Sequence, residues 1–437
     1  MSTTAVIGIV IFIIMVVLVL LGIPIFVSML ACSFVGFYLI GGMNMVNVQF
    51  VQAPFTLGAS YTYAVLPLFM LVGTLAGETG IAGGAFDAMQ KWLGRIKGGL
   101  LFALVGSNAV FGACSGISVA GNVVFGKIAM PELEKNHYDR RLSLGTIVGA
   151  GSLSSLIPPS VPIIMWCLLT NLSIGTTLMY GLSLGLIMVV ILCVAIKIYI
   201  TIFPKKVPGK EQLERVSMKE KLISLKYLIP FVLVFALIVG GSLTGLFPST
   251  VAGAVASVAL VIYALIKRVP AKRILHCIWD AAVMNAGIFP IIIAGSIFSR
   301  FVTLTRLADN LANVIAQSHL PALAVFTLVV LFYVFCGCVM DIASTVIITV
   351  PIVFPLLTGL GYNPYIICVV LVMLCDCAGM TPPIGMNVFA VSNALRIKSG
   401  EIFKGVLPFF CVDIVAIFLC AIFPQIVEFL PRLLGVG

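Results

Sequence analysis

Two proline-interrupted apolar segments contain the residues whose type and spacing could do chemistry. The first reads Ser-Leu-Ser-Ser-Leu-Ile-Pro-Pro-Ser-Val-Pro over residues 152–162, and the second reads Asp-Cys-Ala-Gly-Met-Thr-Pro-Pro-Ile-Gly over 376–385. Adjacent prolines remove two backbone donors and push the preceding residue out of the helical region, so each helix must break. Inside a membrane, unwound backbone is tolerated only where it lines a polar cavity or an ion site. Two such interruptions in matching halves predict the binding site of a transporter.

Each half also contains an apolar segment that a polar tip divides into two arms. These segments cover residues 99–129 and 321–356. Each arm has about a dozen residues, which is too short for a membrane span but suits a re-entrant helical hairpin. We therefore predict that each hairpin tip meets the broken helix of its own half, at 142–169 and 364–395, near the middle of the membrane.

The polar and unwound residues at these four places are candidate Na⁺ ligands, because hydroxyls and free carbonyls coordinate Na⁺ where helices are interrupted. The glycines and prolines would contribute backbone oxygens. An alternative interpretation is that small and hydroxylated residues only allow helices to pack closely. The candidates are Ser115, Ser118, Asn122, Ser155, Pro158 and Ser160 in the first half, and Asp341, Ser344, Thr345, Gly379, Met380, Thr381 and Pro382 in the second.

Ionisable side chains inside apolar segments are strong individual signals, because a charge in the membrane is costly and is functional by default. Asp341 and Asp376 could complete a Na⁺ site or carry a proton, and Na⁺ is the favoured interpretation. Asp413 could equally contact a neighbouring helix or another subunit. Arg300 ends a span, where it could attract a substrate carboxylate or extend its side chain to the membrane surface. The candidate substrate contacts are Arg300, Asp376 and Ser154.

The composition indicates a polytopic membrane protein. The chain has 437 residues, of which 61% are hydrophobic and 9% charged, whereas a soluble domain carries about 25% charged residues. The formal net charge of +10 favours basic cytoplasmic loops over a nucleic-acid partner. The sequence contains neither a Walker loop nor a credible Ser/His/Asp set, so it indicates no ATP hydrolysis and no catalytic residues.

An internal repeat divides the chain into residues 1–203 and 227–437, joined by a charged connector over 204–226. Prolines and a cysteine recur in one register across the two halves: Pro24 with Pro248, Cys114 with Cys338, Pro131 with Pro355, and Pro158 with Pro382. Each half is predicted to hold five transmembrane segments and one re-entrant hairpin. Because that number of crossings is odd, the halves must have opposite orientations. The predicted fold class is an all-α membrane protein with an inverted-topology repeat.

The distribution of basic residues supports this inversion independently. The first hairpin has basic flanks, whereas residues 307–365 around the second contain no lysine or arginine. The loop after the broken helix is uncharged in the first half and basic in the second, with Arg396 and Lys398. With the 204–226 connector in the cytoplasm, the positive-inside rule is obeyed and both termini are predicted to be periplasmic.

Three motifs together resemble one known family. They are Phe-Gly-Ala-Cys-Ser-Gly at 111–116, Ser-Leu-Ile-Pro-Pro-Ser at 155–160 and Gly-Met-Thr-Pro-Pro-Ile-Gly at 379–385. The combination, over essentially the whole chain, resembles the large membrane subunit of tripartite ATP-independent periplasmic (TRAP) transporters. The resemblance implies a Na⁺-driven importer of organic acids in the bacterial inner membrane, which works by an elevator motion. It also implies two partners, a small four-helix membrane subunit, expected as a separate chain, and a soluble periplasmic substrate-binding protein.

Substrate and mechanism have alternatives at this point. Substrates in the family include sialic acid, C4-dicarboxylates and other sugar or keto acids. We slightly favour sialic acid, although no residue of the sequence requires it. A stand-alone Na⁺/dicarboxylate symporter shares the inverted-repeat architecture. A more remote alternative is an intramembrane aspartyl enzyme, which would need Asp341 and Asp376 within a few ångströms of each other.

Overall fold

Helices make up the fold of this protein. The computed structural model describes residues 3–208, 216–244, 246–307, 310, 320–382 and 385–435, and no strand occurs in these ranges. Eight of the described helices are long and apolar enough to cross a membrane, or nine if the bent pair Arg140–Leu156 and Val161–Thr170 forms one span. This confirms the predicted all-α polytopic fold class.

The helices of the first half follow the order that the sequence predicts. Their bounds are α1 Thr3–Leu20, α2 Ile25–Gly58, α3 Val65–Glu78, α4 Ile81–Leu93, α5 Gly99–Ser115, α6 Ser118–Lys135, α7 Arg140–Gly151, α8 Leu153–Leu156, α9 Val161–Thr170 and α10 Ile174–Ile202. Helices α5 and α6 occupy the predicted hairpin, and α7 to α9 occupy the predicted broken helix. The axis bends by 41° at the break between α8 and α9.

The second half begins with three short α-helices. A 3₁₀ helix at Leu225–Leu228 and a π-helical turn at Ala236–Gly240 separate them. Its helices are α11 Met218–Ser224, α12 Ile229–Phe235, α13 Gly241–Leu243, α14 Ser249–Ile266, α15 Ala271–Leu304, α16 Ala322–Gly337, α17 Ile342–Gly359, α18 Pro364–Ala378, α19 Met386–Leu395, α20 Ser399–Ile422 and α21 Gln425–Leu433. Helices α16 and α17 lie in the segment predicted as the second hairpin, and α18 and α19 lie on either side of the second proline pair. Pro383 and Ile384 fall outside the described residues.

One sequence-based expectation is wrong. The uncharged stretch over residues 41–60 predicts a linker between the second and third crossings. The backbone is instead helical up to Gly58. The interruption is confined to Gly41 and Gly42, and Gly42 has a φ of +64° that only glycine adopts readily. The two glycines therefore kink α2, and the helix resumes after them.

The broken helix of the first half packs directly on the last long helix of the second half. A Cβ atom on Gly145 of α7 would lie 2.0 Å from the carbonyl oxygen of Gly405 in α20. One turn further along, a Cβ on Gly149 would lie 2.9 Å from Phe409. The missing side chains let the two backbones touch, which ties the first repeat to the second.

This close approach predicts a stability difference between two glycine substitutions. Gly145→Ala should lower the free energy of unfolding by about 1–3 kcal/mol, because the new methyl group meets a backbone atom that cannot rotate away. Gly287→Ala in α15 is the matched control, since no atom lies within 4 Å of the added Cβ. Thermal unfolding of the purified variants in detergent measures the difference, and equal midpoints would contradict the backbone contact.

Candidate functional site

The first hairpin tip docks on the first helix break through its backbone. Gly116 lies between α5 and α6 with a φ of +63°, and its carbonyl oxygen accepts a hydrogen bond from the Val161 amide over 3.2 Å. A Cβ at Gly116 would lie 1.9 Å from the Pro159 carbonyl oxygen. Both the left-handed backbone and the close approach require glycine here. The tip and the break are therefore positioned by backbone atoms rather than by exchangeable side chains.

Polar atoms buried beside this contact have no hydrogen-bond partner in the described part of the chain. They are the hydroxyl of Ser115 and the amide oxygen and nitrogen of Asn122. Ser118, whose side chain interacts with the Asp376 carboxylate, lies with them, and all three residues are at most 2% exposed. Each unsatisfied buried polar group costs about 1–3 kcal/mol. A hard cation with oxygen ligands would satisfy the oxygen atoms of this group. The structure thus brings these three sequence-predicted candidates together.

The first break is organised by two serines. Ser160 caps α9, with its hydroxyl accepting from the Ile163 amide over 3.3 Å, and it also donates to the Ser155 carbonyl. The Ser155 hydroxyl is in hydrogen-bonding range of the Ser152 carbonyl at 2.8 Å and of the Asp376 carboxylate. Pro158 lies buried between the two serines, in the unwound stretch. The hydroxyls therefore satisfy groups that the prolines leave unpaired.

Asp376 connects the two broken helices. It is fully buried in α18, and besides Ser155 it accepts from the side-chain amide of Asn387 in α19, over 3.4 Å to the carboxylate and 3.3 Å to the main-chain carbonyl. It does not line the central cavity described below. The described hydrogen bonds of Asp376 join protein segments to one another. They do not support the prediction that Asp376 contacts the substrate, which stays a prediction.

The second hairpin tip is fixed by its own helix cap. Asp341 caps α17, accepting from the Ser344 amide over 3.2 Å and from the Ser344 hydroxyl. The Thr345 hydroxyl donates to the Asp341 carbonyl over 3.0 Å. Across from this tip, Thr381 lies 2.9 Å from the Cys338 sulfur, measured from its hydroxyl oxygen. Three predicted ligands of the second half therefore lie together at the tip.

The second break places its candidates on different sides. The Gly379 carbonyl accepts from the Asn387 amide over 3.1 Å, which links the two sides of the break. Gly379 lines the cavity, whereas Met380 is 1% exposed and is absent from the cavity wall. Pro382 is exposed. Of these three candidates, Gly379 is the one placed at the cavity.

A cavity of about 170 Å³ lies where both tips and both breaks converge. Four helices, α6, α9, α17 and α19, begin at or next to its wall, and Ser118, Val161, Ile342 and Met386 are their first residues. The N-terminus of a helix is the positive end of its dipole, which favours anions. Several amides at these N-termini, such as those of Val161, Ile163 and Ser344, already have partners. Asp341 is the one charged side chain among the described residues of the wall. The cavity can therefore receive an anionic group and a cation side by side.

Two sequence-predicted substrate candidates and one undecided residue lie away from this cavity wall. Arg300 in α15 donates to the side-chain oxygen of Gln49 over 3.3 Å. Ser154 donates to the Asn108 carbonyl over 3.5 Å, behind the first hairpin. Asp413 in α20 is fully buried and neither of its oxygens has a described partner.

Sequence reasoning missed Asn387. It lines the cavity, donates to Asp376, and has an unpaired side-chain oxygen within the described residues. Its signal in the sequence was an amide side chain in the first turn after the second break, where the first half has an apolar residue.

Comparison with known proteins decides the family. Residues 12–426 match the family described as tripartite ATP-independent periplasmic transporter, DctM component. The chain belongs to this TRAP transporter family. The earlier resemblance is thereby confirmed, and the protein is a transporter component rather than an enzyme.

Individual relatives agree with this assignment over most of their length. The C4-dicarboxylate TRAP transporter large permease protein of Pseudomonas aeruginosa is 28% identical over 86% of this chain and 88% of its own. The ectoine/5-hydroxyectoine TRAP transporter large permease protein of Ruegeria pomeroyi is 26% identical over 96% of this chain and 97% of its own. The crystal structure of the Alcanivorax borkumensis YdaH transporter has a similar fold, with a TM-score of 0.64 at 14% identity over 87% of this chain and 89% of that chain.

The contact between the halves of this TRAP component gives a second prediction. Ser155→Ala should lower the free energy of unfolding by about 1–3 kcal/mol, because it removes one hydrogen-bond donor from the buried Asp376 carboxylate. Ser107→Ala is the matched control, since that buried hydroxyl bonds only to a carbonyl of its own helix, Ala103, over 2.6 Å. Thermal unfolding of both variants measures the difference. An equal or larger loss of stability in Ser107→Ala would contradict a stabilising contact between Ser155 and Asp376.

Proposed function

We propose that this protein is the large subunit of a Na⁺-coupled TRAP importer of small organic anions. The observation that carries the proposal is the central cavity, in which the N-termini of α6, α9, α17 and α19 meet next to the carboxylate of Asp341. Amides at helix ends attract an anion, whereas a carboxylate repels one. The helix N-termini and the Asp341 carboxylate can line the same anion site when a cation lies between the carboxylate and the substrate.

Na⁺ is the coupling ion that best fits the donor atoms. The hydroxyls of Ser115 and Ser118 and the amide oxygen of Asn122 are neutral oxygen ligands beside the first break. Asp341, Ser344 and Thr345 provide the corresponding oxygen atoms at the second tip. Hard oxygen ligands of this kind suit alkali and alkaline-earth cations rather than soft metals. A cation at each tip would neutralise the carboxylate and add positive charge for the substrate.

The size of the cavity favours a C4-dicarboxylate over sialic acid. Its volume of about 170 Å³ is below the range of about 300–1,000 Å³ that is typical of larger ligands. A four-carbon dicarboxylate is less than half the size of a nine-carbon sugar acid. The Pseudomonas aeruginosa relative is named for C4-dicarboxylates, which supports the same substrate class.

An elevator motion fits the way the helices are connected. The two broken helices share the contact between Ser155 and Asp376, and α7 touches α20 through Gly145 and Gly405. These contacts join the parts that surround the cavity into one unit across the repeat. Such a unit would carry the substrate by moving as a whole against the remaining helices, which would form the scaffold.

The full importer would lie in the bacterial inner membrane and would include two partner proteins. A small four-helix membrane subunit would cover part of the scaffold, and a soluble periplasmic protein would deliver the substrate. Both termini of this chain would be periplasmic, because that orientation places most lysines and arginines in the cytoplasm.

Uptake into proteoliposomes tests the proposal as a whole. This chain and its small subunit should accumulate labelled succinate only when an inward Na⁺ gradient and the matching periplasmic protein are both present. Sialic acid serves as the comparison substrate, and a K⁺ gradient as the ion control. Equal succinate uptake without the periplasmic protein would identify a stand-alone symporter, and uptake without Na⁺ would contradict the coupling.

Asp341→Asn tests the second ion site. Removal of the charge should raise the Na⁺ concentration for half-maximal uptake about tenfold, which corresponds to about 1.4 kcal/mol. Asparagine also caps helices well, so α17 should remain folded. The matched control is Asp139→Asn, which replaces the carboxylate that caps α7 and accepts from the Leu142 amide over 2.9 Å. An unchanged Na⁺ dependence in the folded Asp341 variant would remove that residue from the site.

A further inference from the structure

A groove on the surface of the protein lies between α12 and α14. It shares no lining residue with the central cavity. It has a volume of about 550 Å³, and its walls are apolar side chains such as Leu233, Val234 and Leu260. Two lysines, Lys226 and Lys267, belong to the same wall. Because α12 begins near Lys226 and α14 ends next to Lys267, the antiparallel helices bring both ammonium groups to one end of the groove.

Neither ammonium group has an acidic partner among the residues that the structure describes. No carboxylate oxygen of the described residues lies within 4.0 Å of Lys226 or Lys267. Each instead lies near an aromatic ring, with Lys226 at 5.1 Å from the Tyr227 ring centre and Lys267 at 5.6 Å from that of Tyr263. Tyrosine and lysine together are typical of the membrane–water boundary. This end of the groove therefore presents two available positive charges at headgroup level.

A second surface groove differs from the first because its described wall carries no charge. It lies between α10 and α20, has a volume of about 500 Å³, and is lined by apolar residues together with Tyr199 and Cys411. No charged side chain belongs to its wall among the described residues. Both grooves could hold acyl chains, but only the groove between α12 and α14 can select a headgroup by charge.

We propose that the groove between α12 and α14 binds an anionic glycerophospholipid. The phosphate lies between the ammonium groups of Lys226 and Lys267, and an acyl chain runs along the groove towards Ala259. The distance from Lys267 to Ala259 is about two helical turns, or about 12 Å along α14, so the apolar wall follows on directly from the charged end. Basic pockets between membrane helices on the cytoplasmic side bind anionic lipids in this way.

A protein helix fits the observations less well. It would cover exposed apolar side chains such as Ile229 and Ile266, but it would have to supply two acidic residues at the end of the groove. A phospholipid supplies an apolar chain and a negative group in that order, and the membrane provides it at high concentration. The charge pattern therefore favours the lipid.

Native mass spectrometry of the full-length chain tests the proposal. The protein is reconstituted in nanodiscs with equal amounts of phosphatidylglycerol and phosphatidylcholine, then released and weighed with its retained lipid. The wild type should retain phosphatidylglycerol in preference to phosphatidylcholine. The double variant Lys226→Gln/Lys267→Gln should lower that preference at least about tenfold, because it removes both headgroup charges.

The matched control is Lys135→Gln/Lys205→Gln, which removes two exposed lysines that lie outside the groove. It should keep the wild-type preference. Ala259→Phe fills the groove without changing its charge and should reduce retention of both lipids. Thermal unfolding checks that each variant is folded.

Four results would overturn the proposal. The first is equal retention of the two lipids by the wild type, and the second is an unchanged preference in the Lys226 and Lys267 double variant. The third is complete loss of the bound lipid when the small membrane subunit is added, which would make the groove a protein interface. Excess inorganic phosphate should not displace the lipid; displacement would show that the groove binds the anion alone and would also overturn the proposal.

Discussion

Unsatisfied backbone groups inside a membrane are the constraint on which this structure depends. Hydrocarbon offers no hydrogen bonds, so each helix break at membrane depth needs partners from the protein itself. At the first break, Ser160 caps the following helix and the Gly116 carbonyl accepts from Val161. A hairpin tip docked on each break is therefore the means by which the chain can unwind in the membrane at all. The tip and the break form one structural feature, and the cavity is its polar side.

The hydrogen bonds at the helix breaks also link the two halves of the chain. The buried carboxylate of Asp376 in the second half takes a hydroxyl partner, Ser155, from the first half. Buried carboxylates require partners because an unpaired charge in a low-dielectric interior is strongly unfavourable. Asn387 adds a further contact to the same group. Much of the polar chemistry between the broken helices is thus devoted to holding them together, while the cavity wall relies on helix ends and Asp341.

Local signals in the sequence predicted the elements, and tertiary contacts determined what they do. The proline pairs located both breaks because proline acts on its own backbone and on the residue before it. The two hairpins were predicted from the short length of the apolar arms on either side of each polar tip. The helical residues after Gly42 were missed because two glycines indicate a linker and a kink equally well. The partner of Asp376 could not be predicted, since Ser155 lies in the other repeat and nothing local points to it. Arg300 attracted attention by its charge, whereas its described hydrogen bond is to Gln49.

The touching backbones of Gly145 and Gly405 have a consequence for how the two halves can change over evolutionary time. A duplicated unit usually diverges because each copy can accept substitutions that the other does not experience. Here a larger side chain in one copy displaces the main chain of the other, so a change at either glycine has to be matched across the repeat. The contact thus restricts which substitutions either half can accept.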